Sequence, residues 1–241
     1  MTRGEVSSSA FDYLCVEMVN DALDRASTRR ARDDGFGGAS SAQDGGGDYD
    51  DADDVRDDAT VAAACETLAR TGERIGERCA ERATRGMDPF ADEQSAIMCA
   101  CKEFWTLAHG KRADALKTNN KGTFVFHDDS FRAMRGVVGG ARARGTSGTR
   151  LASDGGGGGG GASASDVSTA DADPRVRAYL ALHAGIIRGG LRALGVRARV
   201  RGELRAPSGS SAAARVDAAL ALDPPAVAFT VDVVRATGER A

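Results

Sequence analysis

The sequence predicts an α+β domain in which four main helices pack on one side of a four-stranded antiparallel sheet, interrupted by two long disordered insertions. Three observations carry this. Apolar residues recur at helical spacing in four segments, and short runs alternate apolar and polar residues with period two. Two Gly- and Asp-rich stretches, 27–58 and 139–173, hold almost nothing that could be buried and so cannot offset their ordering entropy. Period-two strands with polar outer faces belong to an antiparallel sheet covered on one side by helices.

The first helix follows from Phe11, Leu14, Cys15, Met18, Val19 and Ala22, an apolar stripe at i, i+3, i+4, i+7, i+8 and i+11, with Ser8 or Ser9 as cap. A stripe this wide must bury two sides, one against its own domain and one against a partner. A second helix, 59–84, carries Cys65, Leu68, Ile75 and Cys79 on one side. Its Gly72 and Gly76 each cost about 1 kcal/mol relative to Ala, a pattern that makes sense where another backbone comes close. The third helix starts after Pro89, with Asp92 near its start, and buries Ile97, Cys101, Phe104, Trp105 and Ala108.

The period then changes. Residues 123–127 read as a strand, Asp128 and Asp129 as a turn, and 130–138 as the return strand. Asp173 and Pro174 open the fourth helix as cap and first-turn proline, and Gly195 closes it. Its broad apolar face holds Val176, Tyr179, Leu180, His183, Ile186, Ile187, Leu191 and Leu194. In 197–205, Ala198, Val200, Gly202 and Leu204 alternate with mostly Arg. After Pro224 and Pro225, Val227, Phe229, Val231 and Val233 mark the last strand. Residues 206–223 read equally as loop or frayed helix. The whole chain, 1–241, is expected to form one domain around the two insertions.

Composition narrows the function. The chain carries 32 Lys+Arg against 35 Asp+Glu, and 27–58 alone holds ten Asp and four Arg. No basic domain or stripe of the kind that binds nucleic acid remains. No apolar run reaches the ~18 residues of a membrane span. Asp12 and Glu17 interrupt the N-terminal apolar patch, so no signal peptide is expected. Five cysteines without a CxxC pair read as reduced, intracellular thiols.

Catalytic motifs are expected to be absent. Thr146 and Ser147 stand where a phosphate loop after Gly140 and Gly145 needs Lys-[ST]. His109, His127 and His183 are scattered, and Cys99 and Cys101 should point to opposite sides of a helix, so no metal site is expected. His183 reads as a hydrogen-bonded core residue; beside Cys101 it would permit a Cys–His nucleophile. Arg197, Arg199, Arg201 and Arg205 form a basic row that suits solvent, an acidic partner or anionic lipid headgroups. These residues describe a binding or assembly domain.

Several stretches together resemble one family. Cys101-Lys-Glu-Phe-Trp105, Asp114 to Asn119, Gly122-Thr-Phe-Val-Phe126 before Phe131-Arg132, and Tyr179-Leu180 leading to Gly185-Ile-Ile-Arg-Gly-Gly-Leu191 and Leu194-Gly195 are similar to small subunits of the transport protein particle, TRAPP. Arg70-x-Gly72-x-x-Ile75-Gly76 agrees with the broader superfamily, and the IRGGL and TN-x-x-G stretches point to the sixth-subunit branch. The resemblance implies a non-catalytic, cofactor-free subunit of a cytoplasmic tethering complex, peripheral at cis-Golgi and ER-derived membranes. That complex acts in ER-to-Golgi and Golgi traffic and, when assembled, activates a Rab GTPase by nucleotide exchange.

It further implies a heterodimer with a paralogous small subunit through the first two helices, placing Phe11, Leu14, Cys15, Met18, Leu68 and Ile75 at the interface. Other core subunits would be further partners, and membranes would be reached only through the complex. A related subunit carries an acylated cysteine shortly before the third helix. That position falls at or near Gly86 here, with Cys79 a turn or more away, so no acylation is expected. Related folds also occur in hydrocarbon-binding sensor modules; a channel lined by Cys101, Phe104 and Ile186 would favour that alternative.

Overall fold

The computed structural model describes residues 8–35, 58–137, 173–205 and 224–235. Helices α1 (Ser8–Gly35) and α2 (Asp58–Ala83) are followed by α3 (Glu93–Cys99), a π-helical segment (Ala100–Phe104) and α4 (Trp105–His109), which run on without a break. Strands β1 (Ala115–Thr118) and β2 (Thr123–Asp128) precede a 3-10 turn (Arg132–Met134) and helix α5 (Pro174–Ala193). Strands β3 (Ala198–Arg205) and β4 (Ala226–Val233) complete one antiparallel sheet of order β1-β2-β4-β3.

Register decides what the sheet buries. Phe126 stands opposite Phe229, Phe124 opposite Val231, and Gly202 opposite Phe229 from the other side. These residues share the face under α5, and all but Gly202 lie in the apolar core with Val227. Helix α5 is the centre of the domain, buried from Val176 to Leu191 on nearly every side. Its Asp173 cap accepts a 2.8 Å hydrogen bond from the Arg175 amide, and Gly195, at φ 85°, turns the chain into β3.

The glycine pair on α2 has a physical cause. Gly72 and Gly76 lie against the α5 backbone at Leu182 and Ile186, while Gly185 and Gly189 of α5 lie against Ala69 and Glu73 of α2. Without a Cβ on either side, the two helices approach backbone to backbone. Arg192 braces the seam through a 3.0 Å bond to Glu73 and a second to Glu77.

Three expectations need correction. The expected return strand over 130–138 is not seen in its described part, 130–137: Phe131, Ala133, Met134 and Val137 are all buried, a helical spacing, and the chain takes a 3-10 turn there. The partner of β2 is instead β1, through the turn after Asn119, whose side chain accepts bonds from the Lys121 and Thr123 amides. The acidic stretch does not lose structure at residue 27. Helix α1 continues to Gly35, where Ser27 and Thr28 hydroxyls bond the carbonyls of Leu23 and Asp24 and the outward Arg residues stay solvated. Residues 36–57, 138–172 and 206–223, with what was expected of them, lie outside the described residues. Cys99 and Cys101 are both buried. The wider π turn brings Ala100, Cys101, Phe104 and Trp105 inward together.

Candidate functional site

Helices α1 and α2 carry exposed apolar residues and share a groove. On α1, Cys15, Val19 and Leu23 are buried against the domain. One row further round, Tyr13 is 74% exposed and Leu14 55% exposed. Leu14, Met18 and Ala22 follow at four-residue spacing and lead into a groove between the helices. Its walls are Met18, Ala22 and Ala26 on α1 and Ala59, Ala63 and Thr67 on α2, and it encloses about 520 Å³. Arg25 and Arg29 stand at its rim.

Two of the six expected interface residues are corrected here. Cys15 is 1% exposed and Leu68 2% exposed, so both belong to this domain's own core. The width of the α1 stripe reflects contact with both α2 and α5, which periodicity alone did not separate from contact with a partner. Phe11, Met18 and Ile75 are half-buried, packed on the core with one side open.

A second cluster is internal. Asp128, read from sequence as a turn residue, is buried and accepts bonds from Trp105 Nε1 at 3.0 Å and Lys111 Nζ at 2.7 Å. Lys111 also bonds Asp114 at 2.8 Å and Ser130. Partial burial disfavours its charge, but the carboxylates outweigh this and hold its pKa above the usual lysine value. Nearby, the His183 ring stacks on Tyr179 and lies 5.3 Å from the His109 ring, centre to centre. Nδ1 of His183 is 3.0 Å from the Tyr179 carbonyl. Burial drives the His183 pKa down to about 4 and that of His109 well down, so both rings are neutral at pH 7.

The neighbours of His183 named here are aromatic and histidine rings, which answer the core reading and not a Cys–His pair. Burial pushes the Cys15 thiol up to about 12 and raises those of Cys65, Cys79, Cys99 and Cys101 as well. Raised thiols are weak nucleophiles at neutral pH. Among the described residues, no group of three or more His, Cys, Asp or Glu is placed to hold a metal. Cys101, Phe104 and Ile186 are packed core positions, Phe104 lying against Gly190. Gly86 sits exposed in the turn after α2 at φ 84°.

The basic row divides. Arg197, Arg199 and Arg201 are exposed along β3, whereas Arg205 is half-buried and pairs with Asp129. Arg201 pairs with Asp232 of the neighbouring strand at 3.1 Å.

A helical layer on one antiparallel sheet, with an apolar helical row left open to solvent, defines an α+β domain. Residues 11–217 match the family described as transport protein particle (TRAPP) component, and the chain belongs to that family. Within it the chain falls on the sixth-subunit branch. It is 28% identical to trafficking protein particle complex subunit 6B of Homo sapiens and of Bos taurus over 123 residues, 51% of this chain and 60% of each relative. It is 36% identical to subunit 6b of Danio rerio over 59 residues, 24% of this chain and 38% of that protein. The match thus spans less than two thirds of the length of these relatives.

Proposed function

We propose that this chain is a non-catalytic subunit of a TRAPP vesicle-trafficking complex, cytoplasmic and peripheral to ER-derived and Golgi membranes. It would contribute to Rab nucleotide exchange only when assembled. The observation that carries the reading is the α1 surface: an exposed Leu14 and Tyr13 continuing into an apolar groove shared with α2. An isolated domain gains nothing by leaving such a row in water, whereas a second subunit buries it. Phe11, Leu14, Met18 and Ile75 are the contact residues of this reading, and a paralogous small subunit is the partner. No described helix is long and apolar enough to cross a membrane, which fits attachment through partners.

The test is co-expression with a paralogous small subunit. Leu14→Asp should leave the melting profile unchanged, because the side chain is already in water, yet abolish co-elution. An unpaired carboxylate in an interface costs several kcal/mol, and about 4 kcal/mol is roughly a thousandfold in affinity. A stable heterodimer with Leu14→Asp would place the interface elsewhere.

A further inference from the structure

A second open surface lies at the outer edge of the sheet. Strand β3 is the terminal strand, paired only with β4 among the described residues. The Val234 amide bonds the Arg197 carbonyl at 2.7 Å. Antiparallel pairs alternate, so Arg199, Arg201, Glu203 and Arg205 turn their backbone groups toward β4. Ala198, Val200, Gly202 and Leu204 turn theirs outward, away from the sheet.

Beside this edge runs a groove of about 730 Å³. Val200, Ala181, Ala184, Gly185, Cys65 and Ala69 line its apolar part. Glu66, Arg70, Glu73 and Arg188 line the rest. On the other sheet face, Arg197 and Arg199 project into solvent.

We propose that the β3 edge is a docking site for an extended acidic segment of a partner protein. The segment adds to the sheet as a fifth, antiparallel or parallel strand. Its backbone takes up the outward amides and carbonyls of β3. Alternate side chains, small and apolar, enter the groove, while those between them, acidic, meet Arg197 and Arg199. The arginines give the edge its selectivity. A bare edge accepts any strand, but a cationic one repels basic strands and favours acidic ones. A second copy of this chain is a poor occupant, because pairing two β3 edges sets Arg against Arg. A lipid surface is also a poor one: Glu203 and Asp232 interrupt the basic row, and Arg201 is already paired. This site does not depend on the α1–α2 pairing proposed above.

The probe is a fluorescein-labelled peptide alternating valine and aspartate, long enough to span β3, titrated with the full chain by anisotropy. Three changes should each weaken binding by about tenfold or more: asparagine in place of aspartate, Arg199→Glu, and N-methylation of the peptide amides that face β3. Val200→Pro should act like the methylation, since it deletes an outward donor and no bond to β4. The methylated peptide keeps the test decisive even if that variant folds poorly. Equal binding of methylated and unmethylated peptides would overturn the proposal. So would an absence of peptide binding together with Arg199-dependent binding to phosphatidylserine vesicles, which would make this a lipid-facing surface.

Discussion

Gly76→Ala puts the close approach of α2 and α5 to a direct test. A Cβ at this position would stand 2.8 Å from both the Gly190 amide nitrogen and the Ile186 carbonyl carbon, and nearer still to the Ile186 oxygen. Ordinary contact begins at 3.4 Å. The helices must therefore part by more than about half an ångström, a gap that forfeits roughly a quarter of the dispersion well for each atom pair along the seam. Neither side can yield cheaply, because the obstacles are backbone atoms and α5 is buried all round. Overpacking of this kind costs about 1–3 kcal/mol and more where the surroundings are rigid.

The helix-propensity gain of Ala over Gly returns only about 1 kcal/mol. With the upper end of the overpacking range at so rigid a seam, a net loss of about 2 kcal/mol is expected, or a fall in melting temperature of roughly 4–8 °C. Urea unfolding followed by the fluorescence of Trp105, the single tryptophan and a core residue, measures it. Gly136→Ala serves as control: its nearest neighbour is the end of the Val16 side chain at 3.3 Å, so the cost should stay below about 1 kcal/mol. If Gly76→Ala is no more destabilising than the control, the backbone-to-backbone packing of α2 and α5 is wrong.

Two further outcomes follow from the buried polar groups. His183 has a folded pKa of about 4 against 6.5 when unfolded, so between these values the unfolded chain binds more protons; stability falls as pH drops through that window, by about 2 kcal/mol from pH 7 to pH 5. His109 shifts the same way and adds to the loss, and urea midpoints across this range should move less in His183→Phe. Lys111→Met leaves the buried Asp128 carboxylate without its cation and should cost about 3–5 kcal/mol, with Lys111→Met/Asp128→Asn recovering part of it in the same unfolding assay.

Local chemistry determined much of this protein. Periodicity placed the helices and three of the strands, because burial imposes its period wherever one face of an element meets the core. The glycine pair at 72 and 76 announced a close neighbour, since nothing local justifies two helix-weakening residues four apart. The motif order around Trp105, Phe124 and the 185–191 stretch was enough to indicate the family. What the tertiary structure alone decided is everything that joins distant segments. It identified the close neighbour as the α5 backbone at Leu182 and Ile186, more than a hundred residues along the chain. It separated Leu14, in water, from Cys15, in the core, on a stripe whose width could not tell a partner from α5. It turned the expected strand after Asp129 into a 3-10 turn at Arg132–Met134. It set β3 at the edge, a matter of strand order that no single strand carries. Patterning within an element records which side is buried; which neighbour buries it is settled by contacts between segments far apart in sequence.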